Sequence, residues 1–289
     1  MQMRWKKYFM NLSKIRCPVC NSENVKKIIE NYNQCQKCQI AYSEVSELLS
    51  SAPSSEDNED VYLHSKKDLF FQGLKKINSL LNEKGKLLDV GCGYGYFLKL
   101  AIDDGWECEG IEISKPAIKH CRDVFGFKVY NSPLETLKIP DNTYNVVTLW
   151  GVLDVLPNPN LELSEIYRVI KPGGVLFLRV NNFSYHLFAW KLGNTKLFRL
   201  FGLKPGIIHR WGVNSQSLRI LLQSSKFINI EILNSKPTTG DPYGTGGKFG
   251  KTYVNLAKIL YFIISQIVYY FSGKKIFISS SIIATARKK

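Results

Sequence analysis

The stretch LLDVGCGYG, residues 87–95, decides how the rest of the chain is read. A short apolar run of strand character breaks into three glycines at alternate positions. A buried strand that ends in so tight a turn lets backbone amides approach a ligand. Gly91, Gly93 and Gly95 remove the Cβ atoms that would block it. Asp89, at the strand's end, can accept hydrogen bonds from a ligand ammonium or from loop amides. Glu112 lies 21 residues after Gly91, at the tip of the next apolar run, ECEGIEI (107–113). An acid there reaches the two hydroxyls of a ribose. The combination points to an adenosine-containing cofactor. The dinucleotide spacing G-x-G-x-x-G would need glycine at position 96, where the chain has Tyr96, and that argues against NAD or FAD.

Outward from this turn, strand and helix patterns alternate. Before it, Leu69, Phe70, Leu74, Ile77, Leu80 and Leu81 recur at helical spacing. After it come a helix (FLKLAIDDG), the strand 107–113, and a helix opening at Ser114. FKVYN (127–131) and YNVVTLW (144–150) read as strands, LELSEIYRVI (161–170) as a helix stopped by KPGG, and VLFLRVN (175–181) as a strand. A helix (217–227), a strand (228–233) and a final strand within IFISSSIIATA (276–286) follow. This alternation predicts an α/β fold, a Rossmann-like, doubly wound, mostly parallel sheet.

With these motifs the chain closely resembles the class I S-adenosylmethionine (SAM)-dependent methyltransferases over roughly residues 62–235. LLDVGCGYG matches their first motif and GIEIS (110–114) their acidic second one. YNVVTLWGVLDVLPNP (144–159) and EIYRVIKPGGVLFLRV (165–180) match the fourth and fifth strand regions. The resemblance implies Asp89, Gly91 and Gly93 around the methionine part of SAM, with Gly95 completing the turn. It puts Glu112 on the ribose and Ile113 on the adenine, with Leu134 or Glu135 nearby, and Trp150 and Gly151 along the cofactor. Many relatives have histidine where this chain has Gly151 and Val155, and NSPLE (131–135) replaces the acidic residue common near the adenine.

Further out, Cys17-Pro-Val-Cys20 and Cys35-Gln-Lys-Cys38 form a C-x2-C pair of knuckles. Two such knuckles complete a thiolate tetrahedron, so Cys17, Cys20, Cys35 and Cys38 are read as ligands of a structural zinc with no open position for catalysis. A segment of about 40 residues has too little core to fold without such a metal. The expected organisation is a zinc ribbon (1–45), a Ser- and acid-rich linker (46–61), a SAM-binding domain (62–236) with a cap-like insertion (183–211), and a C-terminal apolar helix with a final strand (237–289). The N-terminus lacks the pattern of a secretory signal, and reduced thiols suit a cytoplasmic protein.

The formal net charge of +15 is uneven. Residues 41–186 carry 15 Lys/Arg against 20 Asp/Glu, whereas residues 187–289 carry 16 against 2. A basic surface attracts nucleic acid, anionic lipid or a phosphorylated small molecule, although a merely solvated lysine-rich surface has the same composition. The apolar run 254–271 contains Lys258 and is closed by Gly273-Lys274-Lys275; the 15 residues that separate Lys258 from Lys274 span about 22 Å as a helix, short of the roughly 30 Å hydrocarbon core. Two readings fit it: a cap or oligomer contact, or a surface resting on anionic membrane near a lipid-linked substrate.

For the chemistry, Tyr94, Tyr96 or Trp150 could favour a sulfonium by cation–π attraction. His209 and Asp154 are the candidates for a general base, and His186 and Arg210 for binding an anionic group. The expected activity is methylation of a small molecule, namely a sugar, polysaccharide precursor or other secondary metabolite. The alternatives are an RNA methyltransferase and a non-catalytic SAM-binding protein.

Overall fold

The computed structural model describes residues 16–29, 31–43, 65–195, 209–239 and 250–289. The expected linker, 46–61, lies outside the described residues, as do 196–208 of the cap-like insertion.

Three short strands, β1 (Val25–Ile29), β2 (Tyr32–Cys35) and β3 (Ala41–Ser43), come first. The main domain then runs α1 (Lys67–Asn78), β4 (Lys86–Val90), α2 (Tyr96–Asp103), β5 (Glu107–Ile111), α3 (Lys115–Phe125), β6 (Val129–Tyr130), β7 (Tyr144–Trp150), α4 (Pro159–Val169) and β8 (Ile170–Asn181). It closes with α5 (Phe183–Gly193), β9 (Trp211–Gly212), α6 (Ser215–Ser224), β10 (Ile228–Asn234), α7 (Gly250–Phe271) and β11 (Ser281–Arg287).

Seven strands form the central sheet in the order β10-β11-β8-β7-β4-β5-β6. The pairs β8–β7, β7–β4, β4–β5 and β5–β6 are parallel, and β11 runs antiparallel between β8 and β10. The sheet is therefore mostly parallel and doubly wound, as the alternation predicted. The order reverses at β4, which lies between β5 and β7, and the crevice beyond the C-terminal end of such a strand is where ligands bind in open α/β sheets.

Successive residues of a strand point to opposite faces, and the core follows that period. Leu87, Val146 and Phe177 pack on one side with α1 and α2, while Leu88, Val147 and Leu178 pack on the other with α4 and α6. Both sides being covered explains why these strands are apolar without alternation.

Some boundaries differ from expectation. The strand at 127–131 shrinks to two residues, and the one within 276–286 starts at Ser281. KPGG does not sit outside a strand: β8 begins at Ile170, opposite Tyr144, and absorbs the glycines as an irregularity in the register with β7. Gly173 there has φ +75°, and its amide donates to Lys288 O (3.0 Å), so the glycine step is held by the end of the chain.

The cysteine segment does not stand apart. Its sheet is completed by β9, with Ala41 opposite Gly212 and Tyr42 opposite Trp211. Asn160 Nδ2 donates to Val19 O (2.8 Å), and Cys17, Cys35, Cys38, Ile40 and Tyr42 join the same core as Leu88 and Leu149. Gly212 is required at this joint, because a Cβ would lie 2.3 Å from the Phe183 ring.

Candidate active site

The glycine turn closes directly on the end of β5. The amides of Gly91 and Cys92 both donate to Ile111 O (2.8 and 3.0 Å). Gly91 has φ +74°, and a Cβ there would sit 2.4 Å from Val152, so the position excludes side chains by its own packing as well as by any ligand's approach. Opposite it, the Glu112 carboxylate organises the loop: Oε2 accepts from Gly93 N (2.8 Å), and Oε1 from Ile113 N (2.7 Å) and Ser114 N (2.9 Å). Oε1 is filled by its two amides, whereas Oε2, with one, keeps a lone pair for a donor such as a ribose hydroxyl. Ile113 is 75% exposed, an apolar side chain left standing at the rim where a flat ring could pack.

Asp89 is 1% exposed and accepts from Thr148 Oγ1 at 2.6 Å. Burial raises its carboxyl from the usual range to about 8; Thr148 opposes the shift, Glu112 adds to it and Lys66 opposes it. Lys66, just before α1, is drawn down to about 7 by burial and by Arg179, against the pull of Asp89 and Asp154. It therefore links the glycine turn electrostatically to a second group of polar residues.

That group lines a small cleft: Asp154, Asn181 and His186, together with His209 and Trp211. The two base candidates, from distant parts of the chain, are thus brought together. Asp154 Oδ2 accepts from Asn181 Nδ2 (2.9 Å), while its buried Oδ1 has no hydrogen-bond partner among the described residues. His186 Nε2 lies 3.0 Å from Ser280 O; it must be the protonated nitrogen, because a carbonyl only accepts. This leaves Nδ1 with a lone pair, also buried and without a partner among the described residues. Burial lowers the His186 pKa to about 4, so the ring is neutral. His209 is anchored through its backbone: Tyr32 Oη donates to His209 O (3.2 Å).

Other expected residues sit differently. The Trp150 indole lies within an aromatic cluster with Phe70, Phe97 and Phe177, each ring 4.9 Å away. The ring is thus packed into the core and only 8% exposed. Tyr94 and Tyr96 pack against His120 (5.4 and 5.7 Å). Gly151, at φ +76°, has open space where a Cβ would point. Leu134 is buried in the core, so its side chain faces away from solvent, while Glu135 is exposed on the 3-10 turn Leu134–Thr136. Lys66 and Arg179 are additions to the expected set. Arg179 carried a signal, an arginine in an otherwise apolar strand. It is buried, donating to Ser235 Oγ (2.9 Å) and Ser281 Oγ (3.0 Å).

The four ribbon cysteines place their Sγ atoms within 4.8 Å of one another. Cys17–Cys38 and Cys20–Cys35 are 3.7 and 3.5 Å apart, close to the roughly 3.8 Å edge of a tetrahedron with 2.3 Å zinc–sulfur bonds. The donor set and spacing suit zinc.

A glycine turn at the switch point of a doubly wound sheet, with an acid on the next strand tip, is how such sheets hold an adenosine-containing cofactor, and the class here is that of the SAM-dependent methyltransferases. Residues 62–231 match the family model described as "Methyltransferase domain", and the chain belongs to that family. The ubiquinone biosynthesis O-methyltransferase of Methylococcus capsulatus is 26% identical over 172 residues, 54% of this chain and 71% of the relative. That of Alkalilimnicola ehrlichii is 29% identical over 171 residues, 53% of this chain and 68% of the relative. The crystal structure of a SAM-dependent methyltransferase from Archaeoglobus fulgidus shares the fold, at TM-score 0.53 and 21% identity, covering 80% of this chain and 97% of the other.

Proposed function

We propose that this methyltransferase moves the methyl group of SAM to a hydroxyl of a small molecule: a sugar, polysaccharide precursor or other secondary metabolite, anionic or lipid-linked. The observation that carries the reading is the pair of buried, unpartnered acceptors in the cleft, Asp154 Oδ1 and His186 Nδ1. Buried polar atoms left unpaired cost free energy, so the cleft favours a ligand that donates hydrogen bonds, as a hydroxylated molecule does. The names of the two O-methyltransferase relatives agree with an oxygen acceptor.

Bound SAM supplies an activated methyl on a sulfonium. In this reading Asp89 takes the ammonium, the amides of the 91–95 turn border the methionine chain, and Glu112 takes the ribose hydroxyls. Ile113 packs on the adenine, beside the Leu134 backbone and Glu135, and the backbone of Trp150 and Gly151 closes the side towards β7. Asp154 and His186 accept from other hydroxyls of the acceptor molecule and so orient it. The hydroxyl to be methylated would take the methyl that bound SAM supplies, and its one proton would pass to His209. His209→Ala should lower kcat about 100-fold, a typical general-base contribution, and leave the SAM Kd unchanged. Unchanged turnover would remove His209 from the reaction. Transfer to RNA with none to hydroxylated small molecules would overturn the acceptor class.

Asp89 makes cofactor binding depend on pH. Its folded pKa, about 8, lies above that of an unfolded carboxylate. The stability contributed by its neutral form is therefore complete below the unfolded value and is lost as pH rises through about 8. An ammonium partner reverses the preference, so binding near pH 7 should release a proton. Calorimetric heats should then differ between buffers of different ionisation enthalpy, and Asp89→Asn should abolish the difference. Equal heats in all buffers would contradict the ammonium assignment.

A further inference from the structure

We propose that α7 lies flat on an anionic lipid surface, making the protein a peripheral membrane enzyme. The helix is inside out. Leu256, Ile259, Leu260, Ile263, Ile264 and Ile267, spaced by three and one, form one exposed stripe. The opposite side, towards the domain, mixes polar groups with Phe262 and Tyr269. Tyr261 Oη donates to Ile278 O (2.8 Å), Asn234 Nδ2 donates to Ser265 O (3.1 Å), and Tyr269 is buried against β10. A helix on a water-facing domain has the reverse polarity. Phe271, 89% exposed, continues the stripe at its end.

Length and composition alone would let Tyr253–Phe271 cross a bilayer. The contacts forbid it: the helix is tied along its inner side to β10 and to residue 278, and by Ser281 the chain is already back in the central sheet. A helix held to its domain on one side and apolar on the other fits the plane of the interface. Charge selects the occupant. Lys274 and Lys275 are exposed where the helix ends, and residues 187–289 carry 16 Lys/Arg against 2 Asp/Glu. Two copies meeting through this face would bring like charges together, whereas anionic headgroups complement them. Membrane contact does not depend on the acceptor proposed above, although Tyr185 of α5 packs on Tyr261 (5.3 Å) next to His186.

The test is sedimentation of the full chain with vesicles of phosphatidylcholine containing phosphatidylglycerol. The protein should pellet with them and be released by high salt. Leu260→Glu with Ile264→Glu should weaken binding at least about tenfold, and so, in a separate variant, should Lys274→Glu with Lys275→Glu. Melting temperature and the heat of SAM binding should be retained in both, because these side chains face outward. Failure to pellet with anionic vesicles would overturn the proposal. So would a dimer that the Leu260/Ile264 change converts to monomer while vesicle binding stays the same. Neither outcome touches the methyl-transfer reading, which the SAM titration reports separately.

Discussion

Replacing Glu112 with alanine is expected to weaken SAM binding about 100-fold, equivalent to about 2.7 kcal/mol. Two losses add up to that. The carboxylate accepts three loop amides, from Gly93, Ile113 and Ser114, so its removal leaves the turn without the group that holds it closed. In the proposed complex the remaining lone pair of Oε2 accepts a ribose hydroxyl, and a hydrogen bond to a charged group is worth about 1.5–3 kcal/mol. Glu112→Gln separates the two losses. A glutamine keeps one acceptor oxygen but presents an NH2 to amides that need an acceptor, and it should recover only part of the affinity. Isothermal titration of the folded variants reads both. A SAM affinity unchanged in Glu112→Ala would place the cofactor elsewhere.

If the four ribbon cysteines hold zinc, as their donor set and spacing suit, stripping it is expected to lower the melting temperature by at least about 10 °C and to silence methyl transfer. Structural zinc contributes about 10 kcal/mol or more in small zinc peptides, and each kcal/mol moves the melting point of a chain this size by about 2–4 °C. Here the loss would spread. Four thiolates crowded within 4.8 Å repel one another without a cation, and three of them are part of the core shared with the main domain. β3 then loses its hold on β9, and Tyr32 its hold on the backbone of His209. The glycine turn lies outside this damage, so SAM should still bind. Metal analysis, thiol counting and melting curves before and after chelation check the prediction. A protein that purifies without metal and melts at the same temperature would refute it.

The fold was legible because its signals are local. Strands buried on both faces must be apolar throughout, and the glycines mark the one place where that rule gives way to ligand approach. The cofactor turn was legible for the same reason, since Asp89, the glycines and Glu112 act within two consecutive strand ends. What escaped was non-local. Nothing near Trp211 signals that it pairs with Tyr42, and nothing in the spacing of His186 signals its approach to Asp154 and His209. The place of the Trp150 ring was not legible because a strand-end aromatic can turn either into the ligand crevice or into the core. Phe70, on a helix that precedes the first main strand, supplied the competing partner. The run 254–271 showed its apolarity but not which side faces the domain, because Ser265, Tyr261 and Tyr269 look like minor interruptions until their partners are known.

The joint between β3 and β9 also bears on the order in which the molecule can assemble. Tyr42 and Trp211 are separated by about 170 positions. A ribosome delivers the cysteine knuckles long before the strand that completes their sheet. During that interval the knuckles have only their own β1–β2–β3 pairing, with β3 lacking its outer partner and the shared core not yet made, so metal capture would carry much of their stability. The pairing is long-range, so it forms late and slowly, and the wall that carries His209 is among the last parts of the enzyme to acquire its shape.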